Sequence, residues 1–293
     1  MKEKGKLSFI IAMLIFSTIG IFVRHISLPS SFIAFSRGII GFAVILLVMI
    51  LKKQKSDKAA IKENLVLLVV SGGFIGINWV ALFESYRYTT VATATLCYYL
   101  APMFVILASP LVFRERLTLK KIICLVTALA GMVLVSGVFE SGSGGENQFK
   151  GIVFGITAAI FYASVMIMNK KMKEIPAFDK TYIQLLCAGL VVGVYTLFTV
   201  KSDDLVFDIS SILLLFFVGA FHTGFAYTLY FGSMKSLRAQ SVAILSYIDP
   251  VFALVLSALI LKEHMSLFGF IGAVMVLGSA FVCDLPEKMK ISE

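Results

Sequence analysis

The sequence predicts an all-α integral membrane protein of ten transmembrane helices, built as two inverted five-helix repeats. Composition is the first ground. Of 293 residues, 59% are hydrophobic and only 15% charged, and the mean hydropathy is +0.96. A soluble domain is about half apolar and about a quarter charged, so one water-soluble core cannot hide this much apolar surface. Segmentation is the second ground: the apolar residues fall into ten runs, each near the ~20 residues that a helix needs to cross the hydrocarbon core. The third is internal repetition. Tyr99, Pro102 and Glu115 recur as Tyr247, Pro250 and Glu263 at one constant offset of 148.

The ten runs are Leu7–Ile26, Ser31–Leu51, Asn64–Phe83, Val91–Phe113, Thr118–Phe139, Gly151–Asn169, Thr181–Val200, Ile209–Phe231, Gln240–Leu261 and Ser266–Cys283. Helices follow from their length and from the need to satisfy backbone polar groups inside the bilayer. The first run follows Lys2, Lys4 and Lys6 but ends at Arg24 and His25 without a small-residue cleavage site, so it reads as a retained helix. Counted in alternate gaps, twenty Lys and Arg lie on one side and five on the other, with Arg37 inside a run. That bias predicts a multi-pass plasma-membrane protein with cytoplasmic N- and C-termini, and it accounts for the net charge of +9 without nucleic acid.

Glu140–Asn147 is short, polar and rich in Gly and Ser, as a flexible linker is. It sets the predicted boundaries: a first repeat over 1–139, a linker over 140–150, a second repeat over 151–285 and a cytoplasmic tail over 286–293. Thr89–Leu134 and Leu237–Val282 align without a gap, with ten identities in 46 pairs. The Pro and Glu in register are the specific part, because leucines recur in any two membrane helices. Five spans per half put the second half in the opposite orientation, and the loop around Glu263 carries less positive charge than the loop around Glu115. Inverted repeats with a midplane site are a construction shared by many secondary transporters.

The duplicated Tyr-x-x-Pro…Glu-x-x-(Ser/Thr) pattern, at Tyr99 to Thr118 and Tyr247 to Ser266, resembles the EamA type of the drug/metabolite transporter superfamily. The resemblance covers nearly the whole chain. It implies a secondary carrier, often an exporter, for amino acids, nucleobases, quaternary amines or other small metabolites, with no ATP-binding motif.

Ionisable residues inside a membrane are unfavourable by about 2.5–3.5 kcal/mol or more and usually face a cavity or a partner. Asp249 lies midway along the ninth run, before Pro250, where the proline frees carbonyl oxygens. It is a candidate to bind an amine or a coupling proton, and its first-repeat equivalent is Ala101. Arg37 could bind a substrate carboxylate bidentately, or snorkel outward or lock two helices. His222 could carry a coupling proton or hydrogen-bond within a helix interface. Glu84 reads as an end charge or a partner of Arg87. Asn78, Trp79, Tyr98, Tyr99, Tyr162, Tyr227, Tyr247 and Phe16 are candidate cavity walls, with Tyr230 one turn from Tyr227. Pro102 and Pro250 mark helix breaks. Gly72, Gly73 and Gly76, with Gly219, predict close helix approach.

The expected activity is transport of a small polar or zwitterionic, amino acid-like metabolite by alternating access, in the export direction. A carrier of quaternary or lipophilic cations, through Asp249 and a tyrosine cage, is the alternative. An enzyme is not expected: there is no HExxH or GxSxG, and His25, His222 and His264 are far apart in the chain. Cys97, Cys124, Cys187 and Cys283 show no metal spacing. No metal or cofactor is expected, and the partners are the solute, coupling protons and lipid.

Overall fold

The structure is a computed structural model that describes residues 2–23, 25–89, 94, 97–135, 148–260 and 267–284. Arg24, Lys262, Glu263, His264, Ser266, most of the linker and the 286–293 tail lie outside the described residues. Within them the chain is helical, with short 3₁₀ turns and no strand.

Among the described residues six helices are long and apolar enough to cross a membrane by length and composition. They are α1 (Lys2–Val23), α2 (Ser30–Leu51), α3 (Lys58–Tyr88), α6 (Gln148–Lys171), α7 (Ala177–Thr199) and α8 (Ile209–Ser236). Shorter helices complete the bundle: α4 (Ala101–Phe113), α5 (Leu119–Val135), α9 (Ala239–Leu245), α10 (Ile248–Ile260) and α11 (Leu267–Asp284). The hydropathy runs locate these elements, with two kinds of difference. α3 is 31 residues long and extends the expected Asn64–Phe83 at both ends. Asp57 caps its start by accepting from the Ala60 N–H at 2.9 Å, so helix continues where the sequence has turned polar. Likewise Gln148–Lys150, expected as linker, are the first residues of α6.

The second difference is at the prolines. The expected ninth span is two helices, α9 and α10, separated by a turn at Ser246 and Tyr247. The fourth has the matching turn at Tyr99 and Leu100, just before α4. Each break precedes its proline. Pro102 is the second residue of α4 and Pro250 the third of α10. First-turn N–H groups have no partner within the helix, so a proline there loses no bond. The two breaks touch each other: the Tyr247 hydroxyl donates to the Tyr99 carbonyl at 3.1 Å.

Packing follows pairs of helices. α2 lies against α7, α4 against α9 and α5 against α11; α3 contacts α6 and α7, while α8 contacts α1 and α2. Several approaches need a missing side chain. A Cβ on Gly38 would sit 2.9 Å from the Gly189 Cα, and one on Gly72 would sit 2.9 Å from the Gln184 Cα. Gly76 is equally tight against Val191 and Ala188, and Gly219 against Ile40. Gly73 differs from its neighbours, with nothing within 4 Å. It points off the packed face of α3, because successive residues on a helix are about 100° apart.

One end of the bundle is stitched together. Glu115, in the loop after α4, caps α9 by accepting from the Ala239 N–H at 2.9 Å. Lys170 donates to the Leu237 carbonyl, and Lys180 to the Phe231 carbonyl at 3.1 Å. Asn64 accepts from the Lys173 N–H at 2.8 Å and Asp179 from the Asp57 N–H at 2.9 Å. Lysines crowd this end. At the opposite end Glu84, on α3, takes hydrogen bonds from Arg87 at 2.8 Å and from Tyr195 of α7.

Gly38→Val is expected to lower unfolding stability in detergent by about 1–3 kcal/mol, through overpacking against backbone. Gly73→Ala is expected to be neutral or stabilising by up to about 1 kcal/mol, since a helix interior prefers alanine. Paired thermal melts check both. Asp208 gives a pH dependence. It caps α8 by accepting from the Ser211 N–H and hydroxyl at 2.8 and 2.6 Å. The Ser211 hydroxyl, then its backbone N–H, holds the Asp208 carboxyl below its ordinary value. A pKa lowered by folding adds stability above the unfolded value and loses it as pH falls through the folded one. Melting points measured below about pH 4, the ordinary carboxylate value, are expected to fall less steeply for Asp208→Asn than for the unaltered protein.

Candidate functional site

The helices line a cavity of about 460 Å³. α1 contributes Phe16, Ser17, Ile19, Gly20 and Ile21; α2 contributes Arg37; and α3 contributes Trp79, Leu82 and Phe83. Tyr98 and Tyr99 enter from the break before α4, Tyr162 from α6, Tyr227 and Tyr230 from α8, and Asp249 and Ala253 from α10. The lining lies toward the Arg87 end of α1 and α3 and takes no residue from the lysine-rich end. A second cavity of about 300 Å³, lined by Pro29, Tyr86, Arg87, Tyr195 and Asp204 among others, shares Phe83 with the first.

The aromatic wall is continuous. Tyr98 stacks on Tyr162 with ring centroids 5.3 Å apart and planes 13° apart. The Tyr162 and Tyr230 hydroxyls are 2.8 Å apart. Phe16 meets Tyr227 edge-on at 5.0 Å and Tyr230 at 5.8 Å, and Trp79 meets Tyr227 at 6.2 Å. Edge-on and stacked pairs at these separations are the favoured aromatic geometries, so the phenol ring positions are mutually fixed.

Two ionisable side chains interrupt this wall. The Arg37 guanidinium carbon is 5.2 Å from the centre of the Trp79 ring, within the range of cation–π attraction. Its Nε donates to the Thr223 hydroxyl at 3.1 Å. Asp249 stands at the start of α10, where the break before Pro250 brings it to the cavity surface. Among the described residues no hydrogen-bond donor is seen on its carboxyl group. A guanidinium, a carboxyl group and five phenols around one solute-sized space can bind opposite charges and hydrogen-bonding groups together.

Phe16, Arg37, Trp79, Tyr98, Tyr99, Tyr162, Tyr227 and Asp249 therefore share this cavity. Three expected site residues stand outside its lining. The Asn78 amide is buried and donates to the Ala158 carbonyl at 2.7 Å, tying α3 to α6. Tyr247 is fully buried on the Tyr99 carbonyl. His222 is fully buried behind the wall, its Nε2 2.8 Å from the Thr18 hydroxyl. The sequence gives no signal for Leu82, Phe83, Ile19, Ile21 or Ala253, because an apolar side chain facing a cavity has the same chemistry as one facing lipid.

A bundle of apolar spanning helices around an internal polar and aromatic cavity is the architecture of a membrane protein that handles small solutes. The profile of the EamA-like transporter family matches residues 3–137 and again 149–283, and the chain belongs to that family. An uncharacterized transporter, YxxF, of Bacillus subtilis (strain 168) is 28% identical over 277 residues, covering 94% of this chain and 88% of the relative. An uncharacterized transporter of Archaeoglobus fulgidus is 25% identical over 279 residues, covering 95% of both. A solved crystal structure shares the fold with a TM-score of 0.83 at 19% identity, over 96% of this chain and 97% of that one.

Proposed function

We propose that this membrane transporter is a secondary carrier that exports a small zwitterionic, amino acid-like metabolite across the plasma membrane by alternating access. The observation that carries the reading is the placement of Arg37 and Asp249 in one cavity among five tyrosines. Arg37 takes the carboxylate, Asp249 the ammonium or a coupling proton, and the aromatic faces take the remainder. Phe16, Trp79, Tyr98, Tyr99, Tyr162 and Tyr227 are the walls; Asn78, Tyr247 and His222 support them from behind. His222 would serve proton coupling only through Thr18 and α1, since it does not reach the cavity.

Two inverted repeats are part of this reading. Supporting them are the 148-residue offset, the double match of the family profile and the packing of α2 on α7, α4 on α9 and α5 on α11. With both termini in the cytoplasm, as the lysine distribution favours, the lysine-rich end is the inner one and the cavity lies toward the outside.

The second reading, a carrier of quaternary or lipophilic cations, draws on the same tyrosines and Asp249 through cation–π attraction. Arg37 in the same space opposes it, because a bound cation would face a second cation. Uptake into proteoliposomes across a panel of amino acids and quaternary amines separates the two. Arg37→Ala is expected to raise the KM for amino acids at least about tenfold, since a hydrogen bond to a charged group contributes about 1.5–3 kcal/mol and about 1.4 kcal/mol is tenfold. If Arg37→Ala instead improved the transport of quaternary amines while no amino acid was carried, the cation reading would replace this one.

A further inference from the structure

Within α8 the residues Val218–Phe225 are wound as a π-helix rather than an α-helix. Such segments are rare and recur at functional sites. This one directs two consecutive, fully buried side chains to two different helices. His222 reaches Thr18 on α1, and Thr223 reaches Arg37 on α2. From this geometry we propose that Thr223 is a positioning residue that aims the Arg37 guanidinium at the substrate carboxylate. The proposal rests on the reading of Arg37 as the carboxylate site.

The direction of each hydrogen bond is fixed by counting protons. Arg37 has no acceptor, so its Nε–H donates and the Thr223 oxygen accepts, at 3.1 Å. The single Thr223 proton is then free for the Val218 carbonyl, five residues back, at 3.2 Å. That five-residue reach is the spacing of the π turn itself, so the winding of the helix and the orientation of the hydroxyl are one feature. Thr223 is buried without exposure, so its hydroxyl is confined to these two partners.

The effect on Arg37 is specific. A guanidinium can meet a carboxylate bidentately along its Nε/Nη edge or end-on through its two Nη groups. With Nε held by Thr223 and the guanidinium carbon 5.2 Å from the centre of the Trp79 ring, the end-on pair is what remains for a ligand. Close backbone approach holds the arrangement together. A Cβ on Gly41 would lie 3.2 Å from both the Gly224 N and the Thr223 Cγ2, and one on Gly219 would lie 2.6 Å from the Ile40 Cβ. These glycines let α2 sit on the π turn at the depth where Arg37 and Thr223 meet.

Trp79 is the one tryptophan in the chain, so its fluorescence reports directly on the cation against its ring. The variants are Thr223→Val, which keeps the shape and removes the hydroxyl, Thr223→Ser, which keeps the hydroxyl, and Arg37→Ala. Each is purified in detergent, checked by thermal melt, and compared with the unaltered protein. Thr223→Val is expected to shift the Trp79 emission in the same direction as Arg37→Ala, and Thr223→Ser to restore the original spectrum. The spectra are then titrated with the twenty L-amino acids and, for any that bind, with the corresponding carboxamide. Thr223→Val is expected to weaken amino-acid binding at least fivefold and to leave carboxamide binding unchanged. A native spectrum and native affinity in a folded Thr223→Val protein would overturn the positioning role while leaving Arg37 as the carboxylate site. Equal weakening of acid and amide would overturn it too. Amino acids that bind unchanged in Arg37→Ala, or that do not bind the unaltered protein at all, would count against the carboxylate reading and remove the basis for the role of Thr223, whatever the spectra show.

Discussion

Arg37 holds a guanidinium inside a bundle of helices long and apolar enough to span a membrane. A charge at that depth is unfavourable by several kcal/mol unless it is given partners. Here the partners come from three helices: Arg37 is on α2, its hydroxyl acceptor on α8 and its aromatic face on α3. Each partner has its own requirement. Thr223 depends on a π turn, the π turn depends on small residues opposite α2, and Trp79 depends on its edge contact with Tyr227. The aromatic wall then extends through Phe16, Tyr230 and Tyr162 to Tyr98. The cavity is thus the space left by side chains whose positions are set mainly by one another.

Repetition supplies the frame and departures from it supply the chemistry. The two helix breaks occupy matching positions and touch through Tyr247 and Tyr99. Two of the residues that give the cavity its character fall where the copies differ. Asp249 stands opposite Ala101 in the alignment, and Tyr98 opposite Ser246. Ser246 donates its hydroxyl to the Val242 carbonyl at 2.8 Å, whereas Tyr98 lines the cavity. A strictly symmetrical pair would place like groups on both sides of the centre. A cavity lined by one carboxyl group and one guanidinium requires that symmetry to be broken.

Much of this was legible in the residues. Apolar runs locate spanning helices because the bilayer imposes a length, and the Pro and Glu in register expose the duplication. Charged and phenolic residues within the apolar runs identify the polar part of the cavity, because polar groups without partners are unfavourable against lipid. Legibility ends where two environments demand the same chemistry. Asn78 satisfies a neighbouring carbonyl instead of a solute, and a buried amide is compatible with either. Tyr247 and Tyr99 are equivalent by sequence, yet one supports the backbone of the other. The π turn left no pattern that periodicity could show, since one extra residue in a run of about twenty-five moves the apolar stripe by less than its own width. The proline breaks were visible, but their position one turn earlier follows from a rule about first-turn donors and not from proline as a kink.

On the proposed alternating-access reading, the distribution of hydrogen bonds between the two ends says what a transport cycle must overcome. At the lysine-rich end, Glu115 caps α9 across the gap between two chain segments, Lys170 binds the loop before it, and Lys180 binds the end of α8. Opening that end exposes a capping carboxylate and two ammonium groups to water, which solvates them well. The net loss per bond is therefore about 1.5–3 kcal/mol at most, and not the far larger cost of leaving a charge unpaired in hydrocarbon. At the other end the cavity meets a second space at Phe83, with Arg87, Glu84 and Tyr195 at the rim. Closing there has to bring aromatic and charged groups together by a comparable amount for the two states to be populated together. The touching breaks at Tyr99 and Tyr247 lie between these ends, where unwound backbone gives each half a place to bend. The cavity therefore adjoins a region whose backbone geometry can change without opening a continuous helix.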